Sequence, residues 1–277
     1  RAFNGDLTGC FRTLQSGKLM QASSSPEVAE EWRNKVSVAG RRPTRKWQEV
    51  AISLGFDPND PRFTFTLGTS TVMGTDGPVE VNTLEHVMGH LPKRSAGGAD
   101  GAGFDLYSCM DASSVEPFVQ FFLSPLSPLD ERDILGRTVR LLLASGLGVG
   151  LDKKGLGRPV DLRPLGLGDS LRRISTRCIS LQSKGQTAAS VEMAHEFQCG
   201  VGMQGGVDIG YAIPNRSMDS LVKADIPSSM PITGAGNAYG SIMQDATIEE
   251  VVQSRPELVG FWSVCYGGNE APWMILG

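Results

Sequence analysis

The chain has 277 residues, of which 40% are hydrophobic and 20% charged, a composition typical of a globular protein that can bury a sizeable core. Its longest apolar run is interrupted by glycines and is too short to cross a bilayer, which argues against a membrane anchor. Its five scattered cysteines include no CxxC pair, which argues against a zinc knuckle and a disulfide framework. The net charge of −4 hides an uneven distribution, because residues 132–184 carry 11 Lys and Arg against 4 Asp, whereas residues 200–277 carry 3 basic against 8 acidic side chains. We therefore expect a soluble, intracellular protein with no membrane partner and with a basic surface that suits phosphates.

Apolar spacing predicts a chain of mixed helices and strands. In chain order, the predicted helices are 28–36, a short helix ending at Gly55, 81–91, 113–123, 131–145, 188–197 and 245–265. Alternation predicts a strand at 62–74 that ends in glycine turns, and a long loop, "PKRSAGGADGAGFDLY", follows the helix at 81–91. We read the Gly- and Ser-rich segment 200–241 as the connection between the last two helices. The pattern favours an α+β fold, with α/β as the alternative, and shows no internal repeats.

A basic hairpin is the most informative predicted element. "GLGVGLDKK" and "RPVDLRPL" predict two short strands joined by a glycine turn, and Asp169 predicts the N-cap of a following helix. The hairpin carries Lys153, Lys154, Arg158 and Arg163, and side chains on one face of a strand recur at every second residue, so basic groups can converge on one anion. Gly166 and Gly168 then allow close approach of a ligand to the backbone before the helix N-terminus, which itself favours phosphate. A solvated hairpin without a ligand is the alternative.

Four sequence blocks follow one another between residues 81 and 277. The first two are "LPKRSAGGADGAGFDLY" and "LDKKGLGRPVDLRPLGLGDSLRRISTRC", and the last two are "FQCGVGMQGGVDIGYAI" and "GNAYGSIMQDATIEEVVQSRPELVGFWSVCYG". The first block is similar to the S-A-P-G-P-D-G loop of one family, and the second to its fingers hairpin, in which K-x(n)-R-P-[IL] runs into G-x-x-L-R-R. The third is similar to the Q-x-G-V-x-x-G-x-E segment of the same family, and the fourth to its N-A-F-N-S stretch. The chain thus resembles the fingers and part of the palm of reverse transcriptases, especially those of non-LTR retrotransposons.

The resemblance implies a set of nucleic-acid-binding residues. Lys153 or Lys154 and Arg163 match family positions that touch the triphosphate of the incoming nucleotide. The two adjacent arginines of the next helix match a basic helix near template or nucleotide phosphates. An aromatic residue further along matches the one beneath the sugar. The nucleotide- or RNA-binding residues expected on this basis are Lys153, Lys154, Arg158, Arg163, Arg172, Arg173 and Tyr239.

The catalytic half of the resemblance is incomplete. In the family, the metal-binding aspartate lies five residues before the aromatic, and here that position is Gly234. The nearest carboxylate is Asp225 in "LVKADI", which looks like the strand that normally carries the aspartate, with an insertion following it. Nothing in the sequence resembles the paired-aspartate Y-x-D-D hairpin. Two-metal catalysis needs carboxylates that hold ions about 3.5–4 Å apart, and an insertion after Asp225 would move its carboxylate out of place. Asp225 is therefore the catalytic candidate only if the polymerase is active, with the insertion looped out.

The sequence thus predicts three parts: an N-terminal helical or mixed extension (1–80), reverse-transcriptase-like fingers (81–199) and a partial palm (200–277). The favoured interpretation is an RNA-binding domain without polymerase activity, acting in a ribonucleoprotein beside other subunits of a large complex. Two alternatives stay open: the N-terminal part of an active RNA-directed DNA polymerase, and a protein–protein scaffold. A cofactor, Mg²⁺, is expected only for the active polymerase. His86 and His90 have the spacing of metal ligands, but the sequence offers no third ligand nearby.

Overall fold

A computed structural model describes residues 43–93, 97–98, 101–124, 144–152, 162–183, 206–227, 243–266 and 274–276, together with the single helical residues 30 and 138. These residues form a mixed α+β structure that is mostly helical, which confirms the predicted fold class at that level. No helix among them is long and apolar enough to cross a membrane. The helices predicted at 28–36, 131–145 and 188–197 lie largely or wholly outside the described residues.

Eight α-helices and five strands can be assigned within the described residues. The helices are α1 (Trp47–Ser53), α2 (Thr83–Gly89), α3 (Phe104–Tyr107), α4 (Ala112–Leu123), α5 (Ser170–Gln182), α6 (Gly206–Lys223), α7 (Gln244–Ser254) and α8 (Val259–Cys265). The strands are β1 (Thr69–Gly74), β2 (Gly77–Asn82), β3 (Gly146–Asp152), β4 (Leu162–Gly168) and β5 (Met274–Leu276), and short 3₁₀ helices span Pro61–Phe63 and Pro256–Leu258.

The strands form two small sheets. β1 and β2 make an antiparallel hairpin with Gly74 opposite Gly77. β3 lies at the centre of the second sheet, antiparallel to β4 and parallel to β5. The two strands of the predicted basic hairpin are therefore confirmed where the structure describes them, and β4 continues past the expected end at Leu165 through Gly168. Residues 153–161 lie outside the described residues.

Several expectations about the predicted elements are wrong. The strand predicted at 62–74 begins only at Thr69, and Pro61–Phe63 is a 3₁₀ helix. Residues 81–82, predicted to begin a helix, instead end β2, because the carboxamide of Asn82 accepts a hydrogen bond from the Glu85 N–H and so caps α2 only at Thr83. The segment 200–241 is not simply a connection, because α6 lies within it. The glycines and Pro214 of α6 obscure its helical character in the sequence.

The main hydrophobic core lies between α2, α4, α5 and α8. Its buried side chains are Phe65, Leu84, Val87, Met88, Leu91, Phe104, Val115, Val119, Phe122, Leu123, Ala144, Leu171, Ile174, Cys178, Ile179, Val264 and Cys265. On α5, the apolar positions recur at the three- and four-residue spacing of one helix face, which leaves the arginines on the other faces. This core fixes the orientation of α5, the helix that carries the candidate site.

A second core joins the two ends of the described chain. It consists of Trp47, Val50, Ala51 and Phe63 packed with Ile248, Val252, Val259 and Trp262. The rings of Trp47 and Phe63 lie 5.2 Å apart, centroid to centroid. The predicted division at residues 80 and 200 stays a prediction, although both cores draw side chains from more than one of its parts.

Two glutamine side chains hold the extended segment 65–68 from opposite sides. The amide of Gln120 on α4 donates to the Phe65 carbonyl (2.6 Å) and accepts from the Leu67 N–H (3.3 Å). The amide of Gln182 on α5 donates to the Thr66 carbonyl (2.9 Å) and accepts from the Gly68 N–H (3.2 Å). Each amide thus replaces a neighbouring strand, and together they connect the segment to both helices.

Candidate nucleic-acid interface

The junction between β4 and α5 begins the candidate site. Asp169 is buried, and its carboxylate accepts a hydrogen bond from the Leu171 N–H (2.9 Å), as the sequence predicts for an N-cap. β3 and β4 pair from Gly146 opposite Gly168 to Asp152 opposite Leu162. The β-hairpin therefore leads directly into a capped helix whose direction is set by the main core.

Of the four hairpin cations, only Arg163 lies within the described residues. Arg163 lies in β4 opposite Leu151 of β3, and the structure describes its backbone alone. Lys153, Lys154 and Arg158 lie outside the described residues. Their predicted convergence on an anion stays a prediction.

The described residues of a glycine-rich stretch, 97–98 and 101–103, include two that lie directly against this junction, Gly98 and Ala102. A Cβ atom on Gly98 would lie 2.5 Å from the Asp169 Cα and 2.8 Å from its nitrogen, so only glycine fits there. The Ser170 hydroxyl donates a hydrogen bond to the Ala102 carbonyl. Gly101 adopts φ +72°, a left-handed conformation that favours glycine. The first two blocks of the resemblance are therefore in contact, and the Ser170–Ala102 hydrogen bond joins residues 68 positions apart.

Two arginines on one face of α5 lie over a buried aromatic ring at the end of this loop. The guanidinium carbon of Arg173 is 4.1 Å from the centroid of the Phe104 ring, and that of Arg177 is 5.6 Å from it. Phe104 is only 1% exposed, so the ring supports the arginines from below and offers no free face. Burial, and then the nearby charge of Arg177, lower the pKa of Arg173 from its usual value. We call Arg173 and Arg177 the arginine pair.

Arg172 points elsewhere. Its guanidinium donates a hydrogen bond to the carbonyl of Ala144, the last helical residue before Ser145. A cation at the C-terminal end of a helix is stabilised by the carbonyls there. The structure thus separates the two adjacent arginines that the sequence groups together: Arg172 connects α5 to the chain before β3, and Arg173 lies over Phe104.

Asp225 does not lie on a strand, which corrects the expectation for "LVKADI". Leu221 to Lys223 end α6, and Asp225 follows with φ +55°, the only positive φ among the described non-glycine residues. Its N–H donates to the Val222 carbonyl, and the Ile226 N–H donates to the Leu221 carbonyl. These are the two hydrogen bonds of a Schellman motif, so Asp225 is the residue that ends α6. Its predicted catalytic role is not tested, and Tyr239 and Gly234 lie outside the described residues.

Among the residues that the structure describes, the remaining histidines and buried cysteines do not form a second site. The imidazoles of His86 and His90 stack with centroids 4.2 Å apart, and Nδ1 of His90 is bonded to the His86 carbonyl. Within the described part of the chain, no three His, Cys, Asp or Glu residues are grouped so that they could hold a metal ion. Burial raises the pKa of Cys178 to about 12 and that of Cys265 to about 11, which keeps both thiols unreactive near neutral pH.

Sequence reasoning missed Phe104, Arg177 and Gly98 as site residues. The four-residue spacing of Arg173 and Arg177 places both on one helix face and could have indicated a pair. Contact with Phe104 could not be inferred, because it depends on how the loop folds onto α5.

Comparisons with protein-family models, with curated proteins and with solved structures gave no match.

Proposed function

We propose that this chain is a reverse-transcriptase-like RNA-binding domain that holds RNA by its phosphates and lacks polymerase activity. The observation that carries the proposal is the arginine pair over Phe104, held beside the β4–α5 junction. Two like charges close together repel each other, and the lowered pKa of Arg173 reflects this repulsion in addition to burial. A phosphate bound by both guanidinium groups would place negative charge between them.

The chemistry of the pair favours phosphates over bases. A guanidinium group matches the geometry of phosphate oxygens and can bind two of them at once. Base stacking needs an accessible aromatic face, whereas Phe104 is covered. Binding through this surface should therefore depend little on RNA sequence.

The neighbouring elements support a nucleic-acid partner. The contact between Gly98 and Asp169 joins the two blocks that resemble the fingers of reverse transcriptases. Three cations fall in the sequence between the paired strands β3 and β4: Lys153, Lys154 and Arg158. β4 leads directly into α5, which carries the arginine pair. These cations would extend the phosphate-binding surface.

The absence of polymerase activity is proposed from the catalytic motif. Gly234 occupies the position at which the family has its metal-binding aspartate, and glycine offers no side-chain ligand. Asp225 ends α6 and adopts a left-handed backbone conformation, which differs from a strand that presents a carboxylate. A retained basic surface and a lost catalytic group together favour a structural role in a ribonucleoprotein.

The experiment compares two doubly neutralised variants in RNA binding. Fluorescence anisotropy with two labelled single-stranded RNAs of unrelated sequence would be measured for the parent, Arg173→Gln/Arg177→Gln and Arg216→Gln/Lys223→Gln. The last variant is the matched control, because it removes the same charge from exposed positions of α6. A charge-assisted hydrogen bond contributes about 1.5–3 kcal/mol, so we expect each lost arginine to weaken binding by at least about tenfold.

The control should bind nearly as well as the parent, and both RNAs should respond alike. Equal affinities of the two double variants would show that the arginine pair is not the binding surface. A parent chain that binds neither RNA would overturn the proposed function itself and favour the scaffold interpretation.

A further inference from the structure

Thr44 connects the segment before α1 to α7. Its backbone N–H donates to Oδ1 of Asp245 (2.7 Å), and its hydroxyl donates to Oδ2 of the same carboxylate (2.8 Å). Next to it, the Arg45 guanidinium pairs with Glu249, one helical turn further along α7. We call the contact between Thr44 and Asp245 the threonine clasp. It lies at the edge of the second core, where α1 packs against α7.

The sequence around Thr44 has the charge pattern of a kinase substrate. Arg41 and Arg42 precede it by three and two residues, in Arg-Arg-Pro-Thr, and Thr44 itself is exposed. Some protein kinases select their substrates by arginines at these positions, which acidic side chains of the kinase recognise. We propose that Thr44 is a phosphorylation site for an arginine-directed protein kinase, and that its modification opens the threonine clasp.

The modification transfers a phosphoryl group from ATP. The Thr44 hydroxyl oxygen attacks the γ-phosphorus, the new O–P bond forms, and the bond to the leaving ADP oxygen breaks. The hydroxyl proton passes to the catalytic base of the kinase. The product carries a charge of about −1.5 to −2 at neutral pH, and its Oγ1 has no proton left to donate.

The clasp cannot accommodate this product. In the unmodified chain, hydrogen bonding from the Thr44 side chain holds the pKa of Asp245 below its usual value, so the carboxylate is ionised at neutral pH. Phosphate would bring a second negative group against this carboxylate and close to Glu249 on the same helix. Arg45 would then bind the phosphate instead of Glu249. Segment 43–46 would separate from α7.

The first experiment tests the site. The purified chain would be incubated with MgATP and the catalytic subunit of a kinase that selects Arg-Arg-x-Thr, and the modified residue would be mapped by mass spectrometry. We expect modification at Thr44, its loss in Thr44→Ala, and a rate at least about tenfold lower in Arg41→Gln/Arg42→Gln, which keeps both Thr44 and Asp245. Modification mainly at another residue, or none in the parent chain, would overturn the proposal.

The second experiment separates charge from a merely lost hydrogen bond. Melting temperatures would be compared for Thr44→Glu and its neutral counterpart Thr44→Gln, each in the parent chain and in Asp245→Asn. We expect Thr44→Glu to melt below Thr44→Gln in the parent, and this difference to shrink once Asp245 is neutralised. An equal difference in both backgrounds would show that charge at position 44 does not act through the clasp.

Discussion

Replacing Gly98 by alanine tests whether Gly98 must lie against the start of α5. The added Cβ would stand 2.5 Å from the Asp169 Cα and 3.1 Å from the Gly168 carbonyl carbon, whereas carbon atoms prefer a separation of about 3.5–4.0 Å. The obstructing atoms are backbone, so the loop has to move by about 1 Å. Overpacking of this kind costs about 1–3 kcal/mol.

This loss should be measured by thermal unfolding. A cost of about 1–3 kcal/mol lowers the melting temperature of a chain of this size by roughly 2–12 °C. Because the same loop leads to Phe104, we also expect weaker RNA binding at temperatures where the variant is folded. Gly89→Ala is the matched control: its Cβ meets no atom within 4 Å, and glycine-to-alanine changes at compatible positions stabilise by about 0.4–1 kcal/mol. A Gly98→Ala variant as stable as the parent would refute the close contact.

Three further predictions concern single contacts elsewhere. Asp225→Gly should raise the free energy of unfolding in urea by about 1 kcal/mol, because glycine adopts the left-handed conformation at the end of α6 without strain, whereas Asp225→Ala should not raise it. The pKa of Asp245 is lowered in the folded chain, so its carboxylate stabilises the fold above the unfolded pKa and loses that effect as the pH falls below about 4. The free energy of unfolding of Asp245→Asn should therefore depend less steeply on pH in this range than that of the parent. Gln120→Ala should cost more in urea unfolding than Gln182→Ala, by about 1 kcal/mol, because the backbone groups that Gln120 satisfies are part-buried and those that Gln182 satisfies are exposed; equal costs would contradict this reasoning.

The elements that are determined by residues adjacent in the sequence could be predicted. The strands of the basic hairpin and the cap at Asp169 follow from alternation and from a carboxylate placed just before an apolar helix face. The helices around 47–53, 112–123 and 244–265 also follow from apolar spacing, although the last one is divided at Arg255.

The features that depend on distant residues could not be predicted. Phe104 becomes part of the site only because Gly98 and Ala102 lie against the start of α5. Arg172 is drawn away from its neighbour by a carbonyl 28 positions earlier. The strand expected at Asp225 is wrong because the residue that ends a helix in a left-handed conformation is usually glycine, so an aspartate at this position gives no sequence signal for a helix end. The extended segment 65–68 is held by side-chain amides from two helices, an arrangement without a local sequence pattern.

The salt dependence of RNA binding tests the central claim most directly. The logarithm of the association constant for a labelled single-stranded RNA would be measured against the logarithm of the salt concentration, for the parent and for Arg173→Gln/Arg177→Gln. Each lost phosphate contact reduces the slope by about 0.7 for single strands, so the account predicts a slope shallower by about 1.4 in the double variant. An unchanged slope would contradict it, because the arginine pair would then make no phosphate contact.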